Sequence, residues 1–176
     1  AHHRESANVR AGYLYLVMAC FGTLALLLAF GLLAGPQGGY DFANYSSSSI
    51  TGGIAVDLDL GIVTGDASIG TDTLRSIETV RGTQFIDTYD ATGFSGSSTN
   101  AGSGGNFNSF EGMEGDDIVT GNGTTRVDYN FAAASVTVDL AAGTGKSTVA
   151  DDAHVGNDTF TGADVFNFKH GIYAVR

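Results

Sequence analysis

Twenty-four consecutive residues without a charge, Ala11 to Ala34, stand behind a short head and ahead of a long tail rich in Gly, Asp, Ser and Thr. At ~1.5 Å per helical residue the run reaches ~36 Å, enough to cross a hydrocarbon core of ~30 Å with some tilt. Backbone polar groups in lipid must be satisfied within the segment, so the run is expected to form one α-helix over residues 11–35 despite its Gly and Thr. Pro36, the only proline, follows directly and gives a helix stop. The expected fold class is therefore a single transmembrane α-helix followed by an all-β extracytoplasmic domain.

The charges divide in the same place. Residues 1–35 carry Arg4 and Arg10 against Glu5, whereas residues 36–176 carry 18 acidic and 6 basic side chains, a net charge of −12. The positive-inside tendency places a short tail, residues 1–10, in the cytoplasm and the acidic domain outside a bacterial inner membrane, in the periplasm or at the cell surface. Tyr13 and Tyr15 fall where aromatic rings anchor helices at the inner interface. The alternative is a cleaved export signal: Ala29-Phe30-Gly31 is a small-x-small triplet, although the run exceeds a usual signal core. Cys20 is the only cysteine, so no disulfide within the chain can staple the outer domain.

Gly22, Ala25 and Ala29 share one face of the expected helix, and Gly31 with Gly35 forms G-x-x-x-G near its outer end. Small residues let a second helix approach closely, so integral membrane subunits and the lipid bilayer are the expected partners of this segment. Nucleic acid is excluded as a partner, because an acidic domain without a basic stripe repels phosphate.

The outer part repeats itself. Ile54-Ala55-Val56-Asp57-Leu58 matches Val136-Thr137-Val138-Asp139-Leu140 at a spacing of 82, each alternating as a half-buried strand does. Gly70-Thr71-Asp72-Thr73-Leu74 matches Gly156-Asn157-Asp158-Thr159-Phe160 at a spacing of 86, and Gly115-Asp116-Asp117-Ile118-Val119 is a third copy. Asp41-Phe42-Ala43-Asn44-Tyr45 is expected to correspond to Asp128-Tyr129-Asn130-Phe131-Ala132. This gives two similar β units, residues 36–90 and 110–176, joined by a Gly/Ser-rich loop or linker over 91–109. Strands are expected near 54–60, 77–81, 117–120, 127–131, 136–140 and 158–161, stacked as a degenerate parallel β-roll or β-solenoid or folded as a β-sandwich.

The V-x-V-D-L strands, Gly-rich turns, G-x-D-x-apolar pieces and the step Ile77-Glu78-Thr79-Val80 resemble the repeat regions of bacterial RTX and haemolysin-type calcium-binding proteins, over residues 40–166. The resemblance implies stacked turns whose aspartates coordinate Ca²⁺, with Asp72, Asp116, Asp117 and Asp158 as candidate ligands. No complete G-G-x-G-x-D-x-U-x unit is present, and the three pieces lie tens of residues apart. The competing reading needs no metal: Asp and Asn bond the backbone of their own turns, and Gly supplies positive φ.

Catalytic patterns are sparse. Gly143-Thr144-Gly145-Lys146-Ser147 lacks the first glycine of a phosphate-binding loop, whose place is taken by Leu140, and reads as a turn. His154 and His170 are far apart and stand in no metal motif. Three sequon-like triplets begin at Asn44, Asn122 and Asn157. Two functions are thus expected. The first, favoured because a retained helix with a small-residue face needs something to anchor to, is a non-enzymatic accessory subunit of a larger membrane complex, respiratory or photosynthetic in type, whose acidic β domain covers the periplasmic face. The other is a calcium-responsive surface or secreted module, adhesin or S-layer-like, whose apolar head is an export signal.

Overall fold

The computed structural model describes residues 40–168 and 172–175. The expected membrane helix, with Gly22, Ala25, Ala29, Gly31 and Gly35, lies outside the described residues. Among those described, no helix is long and apolar enough to cross a membrane. The domain is all-β: β1 (Phe42–Asn44), β2 (Ala55–Asp57), β3 (Ile62–Thr64), β4 (Thr71–Thr73), β5 (Thr79–Arg81), β6 (Thr88–Asp90), β7 (Asn108–Glu111), β8 (Ile118–Tyr129), β9 (Val136–Asp139), β10 (Thr144–Ser147), β11 (Asn157–Phe168) and β12 (Ile172–Val175). All twelve join one curled sheet of mixed parallel and antiparallel pairing.

Its centre is built from two parallel ladders, each with one apolar residue per strand at the same level. In the first ladder Ala43, Val80, Phe110, Val127 and Phe166 are successive partners across β1, β5, β7, β8 and β11. In the second, Val56, Tyr89, Val119 and Phe160 are successive partners across β2, β6, β8 and β11. Val80, Phe110, Val56, Tyr89, Val119 and Val127 are all buried, and the Tyr89 and Phe110 rings stack at 4.7 Å, packing one ladder on the other. Burying each such side chain stabilises by about 1.5–3 kcal/mol, which suits a chain with no disulfide here.

Two strands run through both ladders. Residues 118–120 of β8 pair with β6, and residues 125–127 pair with β7. β11 follows β8 along both stretches, with register shifts between Thr161 and Val165. The corner is made by glycines: Gly123 and Gly162 have φ of +88° and +63°. A Cβ on Gly162 would sit 2.6 Å from the Gly121 carbonyl oxygen, so the two corners stack only without side chains.

Flanking the second ladder are two antiparallel three-stranded meanders, β2-β3-β4 on one side and β9-β10-β11 on the other. These are the 82- and 86-residue sequence matches. Asp57 pairs with Ile62 and Asp139 with Thr144, around four-residue turns ending in Gly61 and Gly143 at φ of +67° and +65°. Each turn is capped by its aspartate: Asp57 Oδ1 accepts Leu60 N–H at 2.9 Å, and Asp139 Oδ1 accepts Ala141 and Ala142 N–H at 3.0 Å. The second hairpins differ in length, since Thr64 pairs with Thr71 but Lys146 with Asn157. The longer loop supplies the four residues by which the spacing grows from 82 to 86.

The third match is out of register. Following the first ladder from strand to strand brings Phe42 level with Arg126, so Tyr45, not Phe42, stands level with Tyr129. The Gly/Ser-rich segment is also more ordered than its composition suggests. Its last residues open β7, where Asn108 and Ser109 are fully buried, and Asn100 inside it bonds both backbone groups of Ile77 at 3.0 and 2.6 Å. The sheet runs through this stretch, since β5 pairs with β7 and β6 with β8.

Candidate functional site: a buried aspartate spine

Ionisable groups concentrate where successive turns stack. Arg81-Gly82 is followed five residues later by Asp87, and Glu111-Gly112 by Asp117 at the same interval. In each turn the chain folds so that the aspartate returns onto the glycine. A Cβ on Gly82 would lie 2.0 Å from Asp87 Oδ2, and one on Gly112 would lie 1.8 Å from Asp117 Oδ2. Only glycine leaves room for the carboxylate there.

Each carboxylate then reaches the previous turn. Asp87 Oδ1 accepts Ile54 N–H at 2.8 Å, Asp117 Oδ1 accepts Asp87 N–H at 2.8 Å, and Asp158 Oδ1 accepts Asp117 N–H at 3.0 Å. The three aspartates are at most 4% exposed. They form a spine in which each side chain satisfies a backbone donor that its own turn does not reach. Asp87 also accepts Thr83 N–H at 2.6 Å and the Thr83 hydroxyl at 2.9 Å. Asp158 Oδ2 accepts the Tyr129 hydroxyl at 2.8 Å, whereas Asp117 Oδ2 is buried without a hydrogen-bond partner.

Electrostatics follow from that geometry. Burial, reinforced by the Asp158 charge, pushes Asp117 up to about 9. Burial pushes Asp158 up to about 7 against the lowering effect of its two hydrogen bonds, and raises Asp87 also. Stacked carboxyls out of water cannot all be charged, so the spine holds a proton in the neutral range. Burial also raises the Tyr129 hydroxyl, as do the charge and hydrogen bond of Asp158.

The four sequence-derived candidate ligands do not converge. Asp117 and Asp158 belong to the spine, and Asp116 lies beside it, exposed, accepting Asn157 N–H at 2.8 Å. Asp72 is on β4, exposed, and accepts the Tyr45 hydroxyl at 3.0 Å. Among the described residues no group of three or more His, Cys, Asp or Glu is placed to hold a metal ion. Asp87, which sequence reasoning passed over, is the member of the spine bound by most donors. The signal for it was the thirty-residue repeat of Gly, four residues, Asp.

A second set of buried acids lines the first ladder. Arg81 Nε lies 2.9 Å from Glu111 Oε2, and its guanidinium is held between the Phe42 and Phe131 rings at 4.8 and 3.9 Å from their centroids. Arg126 Nε lies 3.0 Å from Asp128 Oδ1. Glu78 Oε2 accepts Asp41 N–H at 3.0 Å. The Gly143 to Ser147 segment is a hairpin turn and strand, with Lys146 exposed on β10. His154 is exposed, and His170 lies outside the described residues. Both side-chain N–H groups of Asn122 go to carbonyls, of Phe94 at 2.9 Å and Asn106 at 2.7 Å. A hollow of about 490 Å³ lined by Leu140, Gly143, Phe160 and Gly162 has Asp164 as its one ionisable side chain. Comparison with protein-family models, with curated proteins and with solved structures gave no match.

Proposed function

We propose that the β domain is a non-catalytic, extracytoplasmic structural module of the degenerate β-roll type, carried on the surface of a bacterial cell or secreted from it. The observation that carries this reading is the spine, in which buried acids repeat with the turns and their oxygens serve the backbone. In this reading Asp87, Asp117 and Asp158 hold stacked turns together and are not calcium ligands. Calcium takes six to eight oxygens. The residues present do not fit it, because Asp158 and Asp87 spend both oxygens, and Asp117 one, on donors of the chain itself.

A second reading, an accessory subunit of a larger membrane complex, is favoured by the uncharged run from Ala11 to Ala34 and its small-residue face. Mild-detergent extraction from the native membrane, with mass spectrometry of what co-purifies, separates the two. Recovery alone, or from the medium without residues 11–31, supports the surface module. Integral membrane partners at fixed stoichiometry replace it with the subunit. Chelation is expected to leave the melting temperature unchanged, because only a metal held by the folded state raises it. A fall on chelation restored by added Ca²⁺ overturns the structural role given to the aspartates.

A further inference from the structure

The two ladders end differently. The second is covered at both ends, by β3 and β4 beyond β2 and by β10 and β9 beyond β11. Among the described residues nothing pairs with the outer edges of the first: β1 pairs only with β5, and residues 163–168 of β11 pair only with β8. Proteins built from stacked repeats cap their ends, and exposed strand edges are usually blunted by Lys, Pro or a bulge. Neither Tyr40 to Tyr45 nor Ala163 to Phe168 contains Lys or Pro, the only charged residue of each is one exposed aspartate, Asp41 or Asp164, and the register shifts of β11 are complete by Val165.

The open groups of β1 can be identified. Thr79 N–H donates to the Asp41 carbonyl and Tyr45 N–H to the Arg81 carbonyl. Alternate residues of a parallel strand turn to opposite sides, so Phe42 and Asn44 present their N–H and C=O groups outward. Phe42 is 46% exposed and the neighbouring Tyr40 59%. The two edges also match by level. Ala43 and Phe166 end the same apolar row, small at one end and large at the other. One residue further on, Asn44 stands level with Arg81 and Glu111, while Asn167 pairs with Asp128, so an exposed asparagine closes the adjacent row at each end.

From this we infer that the first ladder continues between molecules: β1 of one copy adds in parallel to residues 163–168 of β11 in a second copy. Phe166 then packs against the next Ala43, and Asn167 meets the side-chain N–H of the next Asn44, whose Oδ1 is held by Ser46, while Asp164, inside the register shift, comes level with the next Asp41, a like-charge contact that weakens the assembly. The two surfaces differ, so the contact is head-to-tail and builds open chains, not closed dimers. The ladder contact is only a few residue pairs long, so assembly is weak and concentration-dependent. It depends neither on an anchor at residues 11–35 nor on calcium.

Sedimentation velocity of the full chain in mild detergent tests it. The wild type is expected to show a mean mass rising continuously with protein concentration. Asn44→Lys with Asn167→Lys places like charges in one row and is expected to abolish the rise. Asn44→Asp with Asn167→Lys makes that pair opposite in charge and is expected to restore it. Circular dichroism confirms that each variant keeps its β content, and variants with a single change to Lys report on the edges if a double variant does not fold. A wild type that stays monomeric overturns the inference, as does association that both double variants leave unchanged. Failure of the opposite-charge variant to recover association overturns the pairing of these two rows.

Discussion

The two meanders are built from matching sequence, share a turn and bury apolar residues in the same core, yet the third strand of one is exposed throughout and that of the other runs inside the sheet. Both have a capped aspartate and a left-handed glycine, and Leu74 N–H donates to the Gly61 carbonyl as Phe160 N–H does to that of Gly143, at 2.7 and 2.8 Å. The difference is which edge joins the parallel ladder: β2, the first strand, in one copy and β11, the third, in the other. Leu58 continues the pairing of β2 with β6 and is fully buried, whereas Leu140, the matching residue after β9, is 49% exposed. Asp72 lies on β4, the last strand in the sheet order among the described residues, and Asp158 inside the spine. Position in the sheet, more than local sequence, decides what an identical residue does.

The largest expected contrast lies at those two aspartates. Asp158→Ala leaves the Asp117 N–H and the Tyr129 hydroxyl buried without an acceptor, at about 1–3 kcal/mol each, so unfolding free energy is expected to fall by roughly 2–6 kcal/mol. Asp72→Ala removes one exposed hydrogen bond and is expected to cost under about 1 kcal/mol. Denaturant melts of both variants check this, and equal losses would show that the spine does not set the difference.

The shared turn is expected to respond alike in both copies. Gly61→Ala and Gly143→Ala each force a side chain onto positive φ and bring a Cβ to 2.7 Å from the Leu74 oxygen or 2.4 Å from the Phe160 oxygen. Each is expected to destabilise by about 1–3 kcal/mol in the same melts. A loss confined to one copy would mean that the turns only look equivalent.

Acidity acts on the second meander through the spine. Asp117 and Asp158 have folded values raised to about 9 and about 7, above the ~3.9 of an unfolded aspartate. The folded state therefore binds more protons than the unfolded one across that window. Stability from these groups is full below about pH 4 and is lost as pH rises through 7 and then 9, by at most ~1.4 kcal/mol per pH unit for each group. Melting temperature is expected to fall from about pH 5 to pH 9, in contrast to a protein held by ionised carboxylates. Asp117→Asn keeps an acceptor for the Asp87 N–H, removes the titration, and is expected to flatten the upper part of that profile. A wild-type profile rising with pH would refute the protonated spine.

Much of the fold was legible where alternation runs long enough to see. Val56 and Val138, with polar residues between apolar ones, marked β2 and β9, and the glycine after each marked its turn. β2 is itself only three residues long, but Ile54 and Leu58 on either side extend its alternation, an extension that Gly61 and Gly65 deny to β3. β7 has no alternation because Asn108, Ser109, Phe110 and Glu111 are all buried, covered on one face by core and on the other by Arg81, Arg126 and Phe131 with their partners. The site was half legible. Asp117 and Asp158 stood out beside glycines, but the burial that sets them apart from Asp72 and Asp116 comes from neighbouring turns thirty or forty residues away.

The smallest expected contrast is between the two tyrosines that stand level in the first ladder, each donating to the third-strand aspartate of its own meander. Tyr129→Phe strips Asp158 Oδ2 of its donor inside the core, where an unpaired acceptor costs about 1–3 kcal/mol. It also removes a bond that favours the charged carboxylate, so the loss should grow as pH rises and the group ionises. Tyr45→Phe frees an exposed aspartate that water can serve, and is expected to change stability by under about 0.5 kcal/mol at any pH. Melts of both variants at about pH 5 and pH 8 therefore give four values, of which Tyr129→Phe at the higher pH should be the largest loss and both Tyr45→Phe values the smallest. If Tyr45→Phe proves as costly, the outer meander is held as firmly as the inner one. Edge position would then not be what separates the two copies.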